Sequence, residues 1–330
     1  MDVNMGNVLG LVFANMHDTT LGDMTKNRTM GSVMFGGRYR LIDFPLSNMV
    51  NSGISEVGVI TKSNYQSLLD HLGSAREWDL ARKKGGLYIL PPFGNVESTL
   101  YRGRIEALYG AMSFIKHSRA KYVILSDCDV VTNIDYKPIV AAHIESGADI
   151  TAVAHTGVYS SDDIKTSTVF NVDADKNVTS VLINPDISGT CTTSLNVFVM
   201  SMDFLIETVN DAMARGNVSF ERNILQEKCR ELKIKIYEYD NYDLDSKVSK
   251  SLVADGCIIE GEVENSVLFR GVKVGKGAKV KNCILMQGTV VGDNAELNYL
   301  ITDKNVSICE NHILTSSPQY PMYVGKGASV

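Results

Sequence analysis

From about Ser246 onward the chain stops reading as helix. Short aliphatic–glycine units recur instead. They are Val253-Ala254-Asp255-Gly256-Cys257, Val274-Gly275-Lys276-Gly277-Ala278, Val291-Gly292-Asp293-Asn294-Ala295, Ile308-Cys309-Glu310-Asn311-His312 and Val324-Gly325-Lys326-Gly327-Ala328, with starts 21, 17, 17 and 16 residues apart. Between them lies a second repeated unit, Val263-Glu264-Asn265-Ser266-Val267-Leu268 and Val280-Lys281-Asn282-Cys283-Ile284-Leu285. One aliphatic side chain per short strand, with a small or polar residue at each tight turn, is the pattern of a hexapeptide-repeat β-helix. Such coils bury their aliphatics only against the coils above and below. The segment therefore predicts a scaffold that leaves apolar surface available for contacts.

The chain before Ser246 obeys other periods. Residues 7–13 predict an apolar strand. Asp43 is placed to cap a helix with Pro45 in its first turn and Gly53 at its end. Residues 57–61 predict the next strand, and Ser63 is expected to open a helix running to Leu72. Ile105, Leu108, Met112 and Ile115 fall at helical spacing. A strand over residues 122–125, a helix over Tyr136–Ser146 stopped by Gly147, and a strand over residues 149–154 follow. This alternation predicts an α/β domain with a mostly parallel sheet and helices on both faces. The expected division is 1–245 for this domain and 246–330 for the β-helix, joined by the short stretch 240–245.

Composition narrows the class. The chain has 330 residues, 44% of them hydrophobic, enough for one large or two ordinary domains. Net charge is −6 and the longest basic run is Arg82-Lys83-Lys84, which argues against nucleic acid or an acidic membrane as partner. No apolar stretch nears the length of a membrane span, and the N-terminus has no signal-peptide pattern, so a cytoplasmic protein is expected. The six cysteines include no C-x-x-C pair, which favours free thiols in a reducing compartment.

Residues 36–53 read Gly36-Gly37-Arg38-Tyr39-Arg40-Leu41-Ile42-Asp43-Phe44-Pro45-Leu46-Ser47-Asn48-Met49-Val50-Asn51-Ser52-Gly53. This segment resembles F-G-G-[KR]-[YF]-R-L-I-D-F-P-L-S-N-x-x-N-S-G of the glucose-1-phosphate adenylyltransferases (ADP-glucose pyrophosphorylases). The resemblance runs through nearly the whole chain. It implies a Rossmann-like nucleotidyltransferase domain followed by a left-handed parallel β-helix, which that family uses for subunit and domain contacts.

The phosphate loop of the family, A-G-G-x-G-T-R-L, lies in frame over residues 14–21, held by Ala14, Thr19 and Leu21. Its chemistry is missing. Glycines let backbone N–H groups approach a phosphate closely. Here Asn15, Met16 and Asp18 replace them, and Asp18 adds a carboxylate that repels a triphosphate. The loop arginine is Thr20, and the lysine of the next A-K-P element is Met30. By analogy with arginine fingers, such a cation is worth roughly 10³–10⁵ in rate.

Other family positions have changed as well. The sugar-phosphate lysine of F-x-E-K-P corresponds to Asn184, and the metal-binding aspartate of S-H-D-F-G corresponds to Ser219. A hydroxyl is a poor substitute for a carboxylate as a hard-cation ligand. Y-R-G-T-A-D-A-[VI] is matched by residues 101–108, with Arg104 and Ile105 replacing the small pair that leaves room for the nucleotide. The other metal aspartate, in L-x-G-D-H-[IV]-Y-x-x-D-Y, falls in a segment one residue longer here. Counting from the left selects Asp127, and from the right Asp129. The residue is either an acid able to hold Mg²⁺ or a strand-end side chain capping the next turn.

The resemblance thus implies the GlgD-type, non-catalytic regulatory group of the family, a pseudoenzyme in glycogen biosynthesis. It implies a catalytic ADP-glucose pyrophosphorylase subunit as partner, in a hetero-oligomer and by family resemblance a heterotetramer, with self-association the other arrangement. No cofactor is expected on this subunit, and Mg²⁺ belongs to the catalytic partner. Arg38 and Arg40 survive in a segment that binds phosphorylated effectors in the family. Their forked guanidinium groups suit phosphate, and pairing with carboxylates such as Asp43 is the other reading. Two further activities stand beside this one: a working adenylyltransferase with a divergent loop, and a hexapeptide acyltransferase using His312.

Overall fold

The computed structural model describes residues 3–14, 16, 25–35, 39–82, 84–92, 101–239, 247–249, 251–254 and 256–330. The chain divides into two compact units, the first running to Asp240 and the second from Asn241 to Val330.

The first unit carries strands β1 (Val8–Phe13), β2 (Met34–Phe35), β3 (Tyr39–Arg40), β4 (Glu56–Ile60), β5 (Gly86–Leu90), β6 (Tyr122–Asp127), β7 (Ile150–Tyr159), β8 (Thr168–Val172), β9 (Val178–Ile183), β10 (Gly189–Ser201) and β11 (Ile234–Glu238). Its helices are α1 (Asp43–Asn51), α2 (Gln66–Leu72), α3 (Arg104–Gly110), α4 (Met112–His117), α5 (Tyr136–Ser146), α6 (Ser161–Ile164) and α7 (Met202–Ala214). The main sheet runs β11-β7-β10-β6-β1-β4-β5, with β8 and β9 attached beside β10. β1 is buried on both faces. Leu9, Leu11 and Phe13 enter one core with residues of α3, α4 and α7, while Val8 and Val12 enter the other with residues of α1, α2 and α5. Helices on both faces follow directly from that unbroken apolar run.

The sheet is mixed rather than mostly parallel. β1, β4, β5 and β6 pair in parallel, as do β7 and β11, but β10 lies antiparallel between β6 and β7. The physical reason is connection length. A parallel pair needs a helical crossover, whereas the short links from β7 through β9 to β10 reverse direction.

Helix termini also differ in detail. Asp43 is not the cap of α1; Ile42 occupies that position and Asp43 sits in the first turn. α2 starts three residues after Ser63, because Asn64 adopts a left-handed conformation and Tyr65 becomes the cap. The stripe Ile105, Leu108, Met112, Ile115 is buried as expected, although Ala111 divides it between α3 and α4. α5 follows its expected bounds. The Asp135 carboxylate accepts from the Lys137 amide at its start, and Gly147 supplies the left-handed stop at φ 58°.

The second unit is a left-handed parallel β-helix with three faces. The first face stacks strands at Lys247–Ser249, Glu262–Glu264, Lys279–Lys281, Glu296–Asn298 and Ile313–Thr315. The second stacks Leu252–Val253, Val267–Leu268, Ile284–Leu285, Leu300–Thr302 and Met322–Val324, and the third Ile258–Ile259, Lys273–Val274, Val290–Val291 and Ser307–Ile308. Val263, Leu268, Val280, Leu285, Val291 and Leu297 point into its core. The five similar units of the sequence do not share one face: Val274, Val291 and Ile308 lie on the third, Val253 and Val324 on the second. One coil contains several near-identical hexapeptides, so units on different faces look alike. All six cysteines are free thiols. Burial pushes the Cys283 thiol up to about 11.

Candidate functional site

Three of the residues expected to hold chemistry, Arg104, Asp127 and Ser219, come together at the C-terminal end of β6. α3 begins there because its preceding residue, Gly103, lies against the turn at Val218. A Cβ at Gly103 would sit 2.2 Å from the Val218 carbonyl oxygen, so no other residue type fits without movement. The Ile105 amide donates to that same carbonyl at 3.1 Å. These two contacts aim the first side chain of α3, Arg104, at the end of β6.

Arg104 is 1% exposed. Its Nη1 and Nη2 donate to Oδ1 and Oδ2 of Asp127 at 2.7 and 2.9 Å, and its Nε donates to Oε1 of Glu221 at 2.9 Å. The guanidinium lies over the ring of Phe13 at 4.5 Å, with the Phe198 ring at 5.9 Å. Burial alone would lower the Arg104 pKa, but the charges and hydrogen bonds of Asp127 and Glu221 outweigh it, and the net shift is upward. The fork is the geometry in which a guanidinium binds a carboxylate most strongly.

Asp127, rather than Asp129, is therefore the acid at the buried end of the strand. Asp129 lies two residues further on, half-buried, where the Asn196 amide nitrogen reaches it at 3.4 Å. Mg²⁺ requires oxygen ligands that are open to it. Both oxygens of Asp127 face a guanidinium, and Ser219 gives its hydroxyl to Glu221 Oε2 at 3.2 Å while accepting from the Arg222 amide. Among the described residues no group of three or more His, Cys, Asp or Glu side chains could hold a metal ion. The described residues do not fit a divalent cation.

The remaining positions scatter. Met30 does not line a pocket: it is 3% exposed and belongs to the core beside Ala14, Val33 and Ile42. Met16 packs against the other core, which contains Phe13. Asn184 is exposed at the end of β9, in a left-handed conformation at φ 53°. Arg40 does not pair with Asp43 through its side chain. Its Nη1 donates to the carbonyl and hydroxyl oxygens of Ser67 at 2.5 and 2.8 Å, while its amide donates to Asp43 Oδ2 at 2.9 Å. Asp43 in turn meets His71 Nε2 at 2.5 Å. Asn15, Asp18, Thr20, Arg38 and the stretch 240–246 lie outside the described residues. His312 is exposed at a turn, its Nδ1 3.2 Å from the Glu310 carbonyl.

Sequence reasoning missed Glu221, Phe13 and Phe198. Glu221 stands two residues past Ser219 in the Val218–Arg222 stretch, where the family motif points only to Ser219.

Among the described residues no helix is long and apolar enough to cross a membrane. Residues 12–233 match the nucleotidyl transferase family, and residues 236–319 match the GlmU-like, C-terminal hexapeptide family. The chain is 34% identical to the glycogen biosynthesis protein GlgD of Bacillus subtilis, an alignment covering 97% of this chain and 96% of that protein. It is also 34% identical to the protein of the same name from Geobacillus stearothermophilus, over 83% of this chain and 82% of that one. The glucose-1-phosphate adenylyltransferase of Thermotoga neapolitana is 31% identical over 84% of this chain and 77% of its own length. With both units matched and the alignment running almost end to end, the chain belongs to the nucleotidyl transferase family, in the branch of the glycogen biosynthesis protein GlgD and the glucose-1-phosphate adenylyltransferases.

Proposed function

We propose that this chain is a non-catalytic, regulatory subunit in cytoplasmic glycogen biosynthesis, acting on a catalytic glucose-1-phosphate adenylyltransferase. The observation that carries the reading is the pairing of Arg104 with Asp127 at the strand end. An acid committed to a buried guanidinium is not open to a metal or a nucleotide phosphate. In this reading the catalytic partner holds the Mg²⁺, and this chain contributes surface. The second face of the β-helix supports that role. Its outward residues Leu252, Val267, Ile284, Ile301 and Tyr323 stand in one parallel register, an apolar column of a kind that marks contact sites. The first face is instead laced with charge, pairing Lys279 with Glu296 and Lys281 with Glu264.

A subunit modulates its partner only by binding two of the partner's conformations unequally. Mixing the purified chain with a catalytic adenylyltransferase from the same organism tests this. The expected result is one hetero-oligomer, a heterotetramer by analogy, with altered apparent substrate affinity, maximal rate or effector response, and negligible ADP-glucose synthesis by this chain alone. Two separate species with unchanged kinetics overturn the proposal. So does robust turnover by the isolated chain, which would favour a working adenylyltransferase.

A further inference from the structure

We infer that the outer edge of β5 is a strand-addition site, taken by an extended segment of another polypeptide that carries two apolar side chains one residue apart. The site lies in the first unit and is independent of the regulatory reading.

β5 is the last strand on one side of the main sheet, paired in parallel with β4. In a parallel ladder alternate residues turn both backbone groups to the same neighbour. The Gly86 amide donates to the Ser55 carbonyl at 2.7 Å, and the Leu90 carbonyl accepts from the Thr61 amide at 3.1 Å. Gly86, Tyr88 and Leu90 therefore face β4, while Leu87 and Ile89 turn their backbone groups outward. The Leu87 amide donates to the Leu80 carbonyl at 3.1 Å. Among the described residues nothing meets the Leu87 carbonyl, the Ile89 amide or the Ile89 carbonyl.

The opposite edge of the sheet is finished differently. On β11 the Ile236 amide donates to the Lys176 carbonyl at 2.9 Å, Asn177 bridges Lys235, and Lys235 and Glu238 add charge. Cover and charge keep strand edges from pairing. β5 reads Gly86-Leu87-Tyr88-Ile89-Leu90, without a charged residue or a proline.

Beside this edge lies a groove of about 350 Å³, lined by Leu69, Leu72, Leu80 and Leu87, with Ser74 and Arg82 also in its wall. A strand entering parallel to β5 closes all three open groups. One of its amides reaches the Leu87 carbonyl, the carbonyl of the same residue accepts from Ile89, and the amide two residues on reaches the Ile89 carbonyl. The residues flanking the one opposite Tyr88 then project to the face of Leu87 and Ile89, where the groove asks for apolar side chains. A second copy fits less well. Antiparallel pairing of β5 with itself needs either the Leu87 amide, which is engaged, or Pro91, which has no N–H.

The experiment selects a displayed library of random seven-residue peptides on the immobilised full-length chain, then measures the enriched sequences as synthetic peptides. Enriched sequences should carry two apolar residues one position apart. Ile89→Pro removes the outward N–H while leaving the ladder to β4 whole. It should weaken the best peptide by about tenfold or more. Ile89→Ala, which keeps the N–H, should weaken it less. If Ile89→Pro does not fold, Leu69→Lys, which puts a charge into the groove from α2, is read in its place. A selection that enriches no peptide overturns the inference, as does a peptide bound equally by wild type and the folded variant. Self-association of wild type that Ile89→Pro abolishes also overturns it, giving the edge to a second copy. Because the readout is peptide binding by this chain alone, each of these failures leaves the mixing experiment on the catalytic partner standing.

Discussion

Arg104 and Asp127 meet through two parallel hydrogen bonds of 2.7 and 2.9 Å, with both side chains almost fully buried. They come from segments 23 residues apart, the start of α3 and the end of β6. A pair in this position has an asymmetric energetic signature. Removing one partner strands the other charge, whereas replacing both by apolar groups removes the desolvation cost along with the attraction.

The first prediction follows from that asymmetry. Asp127→Asn and Arg104→Met should each lower unfolding stability by about 3–5 kcal/mol. Arg104→Met combined with Asp127→Asn should cost less than the two single changes added together, since the two charges of the pair are then removed together. Glu221 still faces Arg104 in the Asp127→Asn protein, so that variant should be the milder of the singles. Urea denaturation of all three checks this. Additive losses would show that the two side chains are not energetically coupled.

A second prediction concerns what aims Arg104. The Val218 carbonyl lies so close to Gly103 that a Cβ could not be admitted without moving backbone. Gly103→Ala should therefore destabilise the first unit by about 2–4 kcal/mol. It should also loosen the Arg104 pair, visible as faster amide exchange at Ile105, which donates to Val218. Wild-type stability and exchange in the Gly103→Ala variant would show that the turn at Val218 yields freely.

Much of this architecture could be read from the sequence, because buried periodicity is a local signal. β1 and α5 needed only their own residues. The β-helix needed only its aliphatic repeats, although which face each unit occupies was hidden, since adjacent hexapeptides are chemically alike and Val253 and Val324 stand on a different face from Val274. The direction of β10 was hidden, because it is set by the lengths of the links before it rather than by any residue within it. At the site, the replacement of a small residue by Arg104 was visible as lost room. That its guanidinium would reach Asp127 and Glu221 was not, since Glu221 is 117 residues away and the contact exists only once β6, α3 and the Ser219 turn are packed. Met30 misled for the opposite reason. A family lysine position suggested a pocket, but a methionine there is free to enter the core.

The third prediction is a pH dependence. Burial, opposed by the charge of Asp149, holds the His143 imidazole down at about 4, against an ordinary value of 6.5. Its Nδ1 meets the Thr151 hydroxyl at 2.9 Å, and the ring is packed edge-on against Tyr122. Between these two pH values the unfolded chain binds a proton that the folded chain refuses. Stability from this group is therefore complete above pH 6.5 and is lost as pH falls toward 4. Its full extent is about 3 kcal/mol at 1.36 kcal/mol per unit. His143→Gln should have a flatter stability profile across this window than wild type. Parallel profiles for the two proteins would refute the assignment.

The last prediction separates what the β-helix needs for folding from what it offers to a partner. Leu285 and Ile284 are neighbours on one strand of the second face, yet the first is fully buried and the second is 38% exposed. Leu285 stacks between Leu268 and Thr302 in the interior column. Leu285→Ala should therefore cost about 2–5 kcal/mol of stability, through lost burial and the cavity left behind. Ile284 stands in the outward column between Val267 and Ile301, where its methyl groups meet water. Ile284→Glu should leave stability within about 0.5 kcal/mol of wild type. If the outward column is where a catalytic subunit docks, the same change should weaken the hetero-oligomer by about tenfold or more, since it places a charge in an apolar contact. The charged first face supplies the control: Lys281→Ala removes an exposed, solvent-screened pair with Glu264 and should leave assembly intact. Sedimentation of each variant with the catalytic subunit reads the outcome. Loss of assembly with Lys281→Ala but not with Ile284→Glu would move the contact to the charged face and away from the apolar column.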